Sequence, residues 1–440
     1  MFTNESSGET RANKQFVRKN RIGIDMNLSY RSKISGLGGQ LKSTPEDFVV
    51  EEICEDETIL ELDRIVERTS ETNGKFTQFV LQKTNWSTAD AIKEIASRLH
   101  VSQTRFNFAG TKDKNAITTQ LVSVFGIPPE KVRELRIKDI SINGAWSASE
   151  KVNLGALLGN RFRIRVSGIK KEGENKKDAE ETVKDIYSEL NGKFPNYFGE
   201  QRFGSTRKNT HRIGERIVKG DFEGAVTEYL TNSDGEKNDS ASTARKQLLE
   251  TEDYAAALKN FPKHLRLERS MLAHLAETPE DYIGALRRLP RNILLMFVHA
   301  LQSYIFNICI SERIKNGEIS CEEGEYFCGE NEFGFPDINK KDTDEGRYIV
   351  GKLIGYETET NEREERVLQE LGIRRSDFRV KKIPEISSNG SLRTLLAPLK
   401  DFEFDMKTDE EDNIAGIFTF SLQAGSYATV AMREFIDEEK

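Results

Sequence analysis

Helical periodicity dominates residues 245–315, and strand-type alternation dominates on both sides of that block. Within the block, Val298, Leu301, Gln302, Ile305, Phe306 and Cys309 recur every three or four residues, as one face of a helix requires. Before it, Phe48–Ile53 and Lys75–Leu81 read as strands. Arg161–Ser167 alternates strictly: Phe162, Ile164 and Val166 point one way, and Arg161, Arg163 and Arg165 the other. Ser87–His100 reads as a helix. Ser87 caps it, Asp90 completes a capping box, and Ala91, Ile92, Ile95, Ala96 and Leu99 share a face. After the block, Phe418–Leu422 reads as a strand, and Gly425 introduces a last helix over Ser426–Phe435. The pattern predicts an α/β (α+β) body built from both chain ends, with helices between. A length of 440 residues fits two or three domains, or one core carrying a large insertion.

Charge narrows the function. Lys and Arg number 65 against 73 Asp and Glu, a net charge of −8, which excludes a globally basic nucleic-acid coat and leaves room for a local basic groove. The longest uninterrupted apolar run is Ile293–Val298, too short for a membrane span, and the polar N-terminus has no signal-like apolar stretch. Cys54, Cys309, Cys321 and Cys328 show no CxxC spacing and read as reduced, cytoplasmic thiols. Cys321 and Cys328 bracket three glutamates, but the five histidines fall elsewhere, so no metal site is expected. Residues 1–20, Lys170–Glu181 and Thr231–Thr243 read as exposed loops, and the acidic Asp401–Asp412 as a solvated hairpin or loop.

Three motifs carry candidate chemistry. Gly36–Ser43 superficially resembles a phosphate loop, but Leu41 stands where that loop needs Gly before the Lys. It reads as a Gly-rich turn before a strand. Phe106–Gln120 reads as strand, tight turn, strand, with Asp113 exposed between Lys112 and Lys114. Flanking cations favour an ionised carboxylate, as a nucleophile must be, although Asp in a turn is also ordinary. From Asn196 to Lys219, six Lys or Arg stand against two Glu, interleaved with Tyr197, Phe198 and Phe203. Cations for phosphates and rings for bases suit an RNA surface; a solvated helix start with buried Phe fits the pattern equally well. Arg374, Arg375, Arg379, Lys381 and Lys382 form a second basic cluster.

Taken in order, these segments resemble the TruD family of tRNA pseudouridine synthases. The matching residues are Gly38–Lys42 with Pro45–Ile53, Ala109–Lys114 through Gln120, Gly159–Phe162, Asn196–Gly204, Ala300–Asn307 and Gly425–Thr429. The resemblance implies a pseudouridine synthase catalytic core with a mixed sheet, permuted and interrupted by a large helix-rich inserted TRUD domain. Residues 1–190 and 395–440 would form the core and 191–394 the insertion. It further implies conversion of uridine to pseudouridine in tRNA, usually at uridine 13, without metal or other cofactor. The implied partner is tRNA, with no membrane and no protein partner. Asp113 matches the family's essential aspartate, and Phe162, following Asn160, the aromatic that stacks on the flipped base. Phe162 also shares a core-facing strand side with Ile164 and Val166. Lys42 and Glu51 match charged positions near the site, with Lys42 favoured over Arg433 as the partner of Asp113. Lys112 is expected to meet a phosphate or another charge, and Gln201 and Arg202 to shape the inserted domain's RNA face. The alternative is an RNA-binding protein or tRNA chaperone of this fold without catalysis.

Overall fold

The computed structural model describes residues 28–169, 176–317, 319–343, 347–408 and 414–437. The polar stretch 1–20 and part of the 170–181 stretch lie outside the described residues.

Among the described residues, nine strands form the main sheet. They are β1 (Gln40–Leu41), β2 (Phe48–Ile53), β3 (Phe76–Thr84), β4 (Phe106–Phe108), β5 (Ile117–Phe125), β6 (Ile140–Ala148), β7 (Gly159–Ser167), β14 (Lys400–Thr408) and β15 (Ile414–Gln423). The order β14-β15-β7-β2-β5-β3-β6, with β1 on β7 and β4 on β5, puts chain from both ends of the protein into one sheet. Only β2 and β5 pair in parallel, so the sheet is mixed.

Two helical layers cover one face of this sheet. The helix α1 (Thr88–Arg98) packs Ala91, Ile92, Ile95 and Ala96 against Phe79, Leu81, Val122 and Val124. The helices α3 (Lys176–Leu190) and α12 (Ala428–Ile436) pack against β7 and β15 through Val183, Ile186, Leu190, Ala431, Met432 and Phe435. The short α2 (Pro129–Arg133) closes the far end through Val132. Ser87 caps α1 as expected, accepting from Asp90 N at 3.0 Å. The Asp90 carboxylate takes the Ser87 hydroxyl rather than its backbone N–H, so the reciprocal half of the capping box is absent.

Between α3 and β14 the chain leaves the main sheet. A short ribbon of β8 (Lys193–Pro195) and β13 (Leu396–Pro398) sets the exit and the return side by side. Helices α4 (Thr210–Val218), α5 (Phe222–Thr231), α6 (Asp239–Thr251), α7 (Tyr254–Asn260), α8 (Arg266–Glu277), α9 (Tyr282–Leu286), α10 (Arg291–Asn316) and α11 (Glu362–Glu370) build a second core. A four-stranded sheet, β10 (Pro336–Asp342), β9 (Tyr326–Glu330), β11 (Tyr348–Leu353) and β12 (Ser391–Thr394), flanks it. By length and composition α10 could cross a membrane, with a mean hydropathy of 1.8 over its most apolar window. That window is 67% buried inside the protein, so α10 is the core helix of this second body.

One expected loop holds an element, and the acidic stretch takes the hairpin form of its two expected readings. The stretch Thr231–Thr243 holds the start of α6, capped by Asn238, whose Oδ1 accepts from Ala241 N at 2.9 Å. The acidic stretch from Asp401 is strand β14. Asp401, Glu403 and Asp405 are exposed while Phe402 stacks on Phe435 at 5.1 Å and Phe404 meets Phe418 at 4.6 Å. Period-two alternation was present there under the charge; residues 409–413 lie outside the described residues.

Candidate active site

Strand register decides which side chains share the open part of the sheet. Lys83 pairs with Thr118, Thr118 with Val50, Val50 with Phe162, and Phe162 with Phe420, one row across five strands. Beside it, Glu52 pairs with Asn160. Directly paired residues project to the same face, so these rows line the face that α1 covers on one side and α3 and α12 on the other. The turn from β4 to β5 lies against the N-terminal end of α1, at Thr88, and reaches Asn160 on β7.

That turn carries Asp113, and five hydrogen bonds pin it. Gln120 Nε2 donates to Gly110 O at 3.1 Å, and Lys112 N donates to Thr88 Oγ1 at 3.0 Å. Thr88 Oγ1 donates to Gln120 Oε1 at 2.9 Å, and Gly155 N to Ala109 O at 2.8 Å. Lys83 Nζ donates to Asp113 O at 2.8 Å. Lys83 is fully buried, and desolvation pushes its ammonium pKa down to about 8, opposed by the Asp113 charge and assisted by Lys112.

The Asp113 carboxylate faces outward, about one-third exposed. Its Oδ1 takes Lys42 Nζ at 3.3 Å and Gln201 Nε2 at 3.2 Å, while Oδ2 has no protein partner among the described residues. Lys42 follows the Gly38–Gly39 turn and itself holds a left-handed φ of 58°, a conformation non-glycine residues adopt rarely and at a cost. The turn requires glycine at 39: φ is 95°, and an added Cβ would meet Val166 Cγ1 at 2.7 Å. Lys42 Nζ also sits 3.8 Å over the Phe48 ring, which meets Phe162 edge-on at 6.0 Å. One aspartate is thus held between a cation and an amide, with its second oxygen open.

The sequence expectation of an exposed cation on each side of Asp113 does not hold at Lys112. Lys112 turns into the sheet, where Nζ lies 2.7 Å from Glu52 Oε2 and bonds Asn160 Oδ1. It meets another charge, as one of its two expected readings had it, and so anchors the turn, with Asn160 serving that anchor. Glu51, expected near the site, is on the opposite face, because neighbouring strand residues point to opposite sides. There it accepts from Leu62 N at 2.8 Å and pairs with Arg161 at 2.6 Å. Phe162 is 6% exposed and packs among Phe48, Phe420 and Ile164, so its ring forms floor under the site. Gln201 does reach Asp113, from the 3₁₀ turn Glu200–Phe203 that leads into the second body. Its neighbour Arg202 bonds Ser303 Oγ at 3.0 Å on α10 and lies over the Phe198 ring. Arg433 bonds Leu28 O at 2.6 Å, so Lys42 is the basic partner. Sequence reading missed Lys83, because it ended this strand at Leu81, whereas β3 continues to Thr84.

The basic stripe is largely engaged with the protein. Arg207 bonds Tyr229 O at 2.7 Å and lies 3.8 Å from Glu268, well inside the helical body. His211 is buried against Tyr304 at 4.6 Å, and burial, with Arg212 nearby, takes its pKa down to about 4. Arg216 pairs with Asp221 and Lys219 with Glu215. Lys208, which pairs with Glu200 at 2.6 Å but on the exposed surface, and Arg212 are the better probes of RNA contact. Affinity for tRNA is expected to fall steeply with salt, and the Lys208→Glu/Arg212→Glu pair should lower the slope by about 0.9 for each lost duplex phosphate contact. An unchanged slope removes the stripe from the RNA path. Arg207→Glu is unsuitable, because it would bury an acid beside Glu268.

Among the described residues, no group of three or more His, Cys, Asp or Glu could hold a metal ion.

The fold is that of a pseudouridine synthase. A crystal structure described as that of the "Putative tRNA pseudouridine synthase D (TruD)" from Methanosarcina mazei matches it with a TM-score of 0.75 at 36% identity, covering 95% of this chain and 97% of that one. A family model described as tRNA pseudouridine synthase D (TruD) matches residues 23–435, and the chain belongs to that family. A probable tRNA pseudouridine synthase D from Methanosarcina barkeri is 37% identical, with 94% of this chain and 96% of the relative covered. The protein of the same description from Methanopyrus kandleri is 39% identical over 83% of this chain and 86% of its own length.

Proposed function

We propose that this protein isomerises uridine to pseudouridine in tRNA, at uridine 13, with Asp113 as the reacting carboxylate. The observation that carries the assignment is Asp113 itself: its carboxylate is about one-third exposed, Oδ1 is shared by Lys42 and Gln201, and Oδ2 has no partner among the described residues. The reaction breaks the N-glycosidic bond, turns the uracil and rejoins it to the ribose through carbon. A fixed carboxylate serves this either by adding to C1′ or by taking a ribose proton to give a glycal. Lys42 balances the carboxylate charge, and Gln201 couples the second body to the reacting group. Residues 1–190 and 395–440 act as one catalytic core and 191–394 as the inserted domain. The β14–β15 pairing onto β7, the separate helical core and the side-by-side β8 and β13 support that division.

Purified protein incubated with unmodified tRNA is expected to form pseudouridine, with full activity in excess EDTA. Mapping the modified position tests uridine 13. Pseudouridine elsewhere only would correct the position, and none at all would favour an RNA-binding protein or chaperone. A metal requirement in the chemistry, distinct from tRNA folding, would sink the cofactor-free reading.

A further inference from the structure

Beside the Asp113 turn lies a second feature that the chemistry above leaves unused. A cleft of about 470 Å³ opens between α1 and the turn, lined by Trp86, Asp90, Lys93, Glu94 and Lys114 among others. That volume lies within the range of sites for small ligands, roughly 300–1,000 Å³. The cleft is tied to the reacting group: Lys114 directly follows Asp113, and Asn85 N at the base of α1 donates to Ala116 O at 3.1 Å.

Its charges are not symmetric. The two acids are engaged, Asp90 by the Ser87 hydroxyl at 2.7 Å and Glu94 by Arg98 at 2.8 Å. The two lysines, Lys93 and Lys114, form no ion pair among the described residues. Trp86 packs one side on the α1 core and stays partly exposed on the other. An open indole flanked by two unpaired cations matches a nucleotide: a π-face for the base and ammonium groups for the phosphate.

We propose that the Trp86–Lys93–Lys114 cleft holds a nucleotide flanking the target uridine, with the indole stacked on its base and the lysines on its phosphate. The proposal rests on the synthase reading and deepens it. It explains how the strand is gripped next to the flipped residue from the α1 side, while Gln201 approaches Asp113 from the other body.

The test is a cycle between protein and RNA, read by binding as well as by single-turnover rate. Trp86→Leu keeps apolar volume against the α1 core and is expected to weaken RNA binding about tenfold, whereas Trp86→Phe retains most of the affinity. Removing the base at one of the two flanking positions should weaken wild-type binding by a similar factor and make Trp86→Leu silent on that RNA. Lys93→Gln and Lys114→Gln should each lower the salt slope by about 0.7 to 0.9. An unchanged affinity for Trp86→Leu with an unchanged melting temperature would overturn the proposal. So would a full Trp86→Leu defect persisting on every abasic RNA. If wild-type protein binds these RNAs yet forms no pseudouridine, the synthase reading fails, and the binding cycle still decides the cleft.

Discussion

Asp113→Asn is expected to abolish turnover while tRNA binding survives. Asn is nearly isosteric and keeps one oxygen for Lys42 and Gln201, which meet the carboxylate at 3.3 and 3.2 Å. It supplies neither a nucleophile nor a base. Losing such a role costs about a thousandfold or more in the chemical step. Affinity should hold because RNA binding is spread over many phosphate and base contacts, and a single carboxylate contributes little or opposes it. Asp47→Asn is the control. Asp47 is buried, accepts from Thr44 N at 2.8 Å and lies 3.7 Å from Arg165, so it holds the entry to β2. Its loss should lower the melting temperature before it lowers the rate. Single-turnover measurements with saturating enzyme decide the matter: a rate for Asp113→Asn within a few-fold of wild type would end the catalytic assignment.

Side-chain alternation made much of the sheet legible from sequence. Phe162, Ile164 and Val166 are buried on β7 as the pattern requires, and the α1 face is the one its spacing predicts. The site was less legible, for a physical reason. Asp113 stands in a turn, where Asp is common, and its partners come from residues 42, 83 and 201, which only tertiary folding brings together. Local charge misled in two places. Lys112 looked like a surface cation, but it sets its charge 2.7 Å from the buried Glu52 instead. Glu51 and Glu52 are adjacent in sequence and lie on opposite faces, so only register separates the one near the turn from the one paired to Arg161. The basic stripe showed how poorly a count of cations reports a binding surface. Arg207 spends its guanidinium on Tyr229 O, Asn232 O and Glu268, and no periodicity in the sequence distinguishes it from the exposed Lys208 next to it.

Lys83→Met is expected to slow the chemical step about ten- to a hundredfold and to remove the alkaline limb of the wild-type pH profile. The folded chain keeps Lys83 fully buried with its ammonium on Asp113 O, so it is a positioning residue for the turn and a positive charge close to the carboxylate. The charged groups that bear on it are Asp113, which favours the protonated form, and Lys112, which opposes it. Its pKa falls from 10.5 to about 8, chiefly by desolvation. Below pH 8 the charge is present and the site is intact; as pH rises through 8 the charge is lost, and the wild-type rate should fall. Met carries no charge at any pH, so the variant should be slow and flat from pH 6 to 9. Stability runs the other way. Between pH 8 and 10.5 the unfolded chain binds the proton that the folded chain has released, so wild-type stability rises with pH there. The charged lysine therefore costs folding on the order of 3 kcal/mol at neutral pH, from the shift to about 8. Met removes that cost and leaves Asp113 O without its donor, worth about 1–3 kcal/mol. The two nearly cancel, and the variant should melt within a few degrees of wild type at pH 7. A purely structural lysine would give a variant that unfolds more readily and catalyses normally when folded. A folded Lys83→Met enzyme that keeps the wild-type rate and its alkaline fall would show that the buried cation has no part in holding the aspartate for reaction.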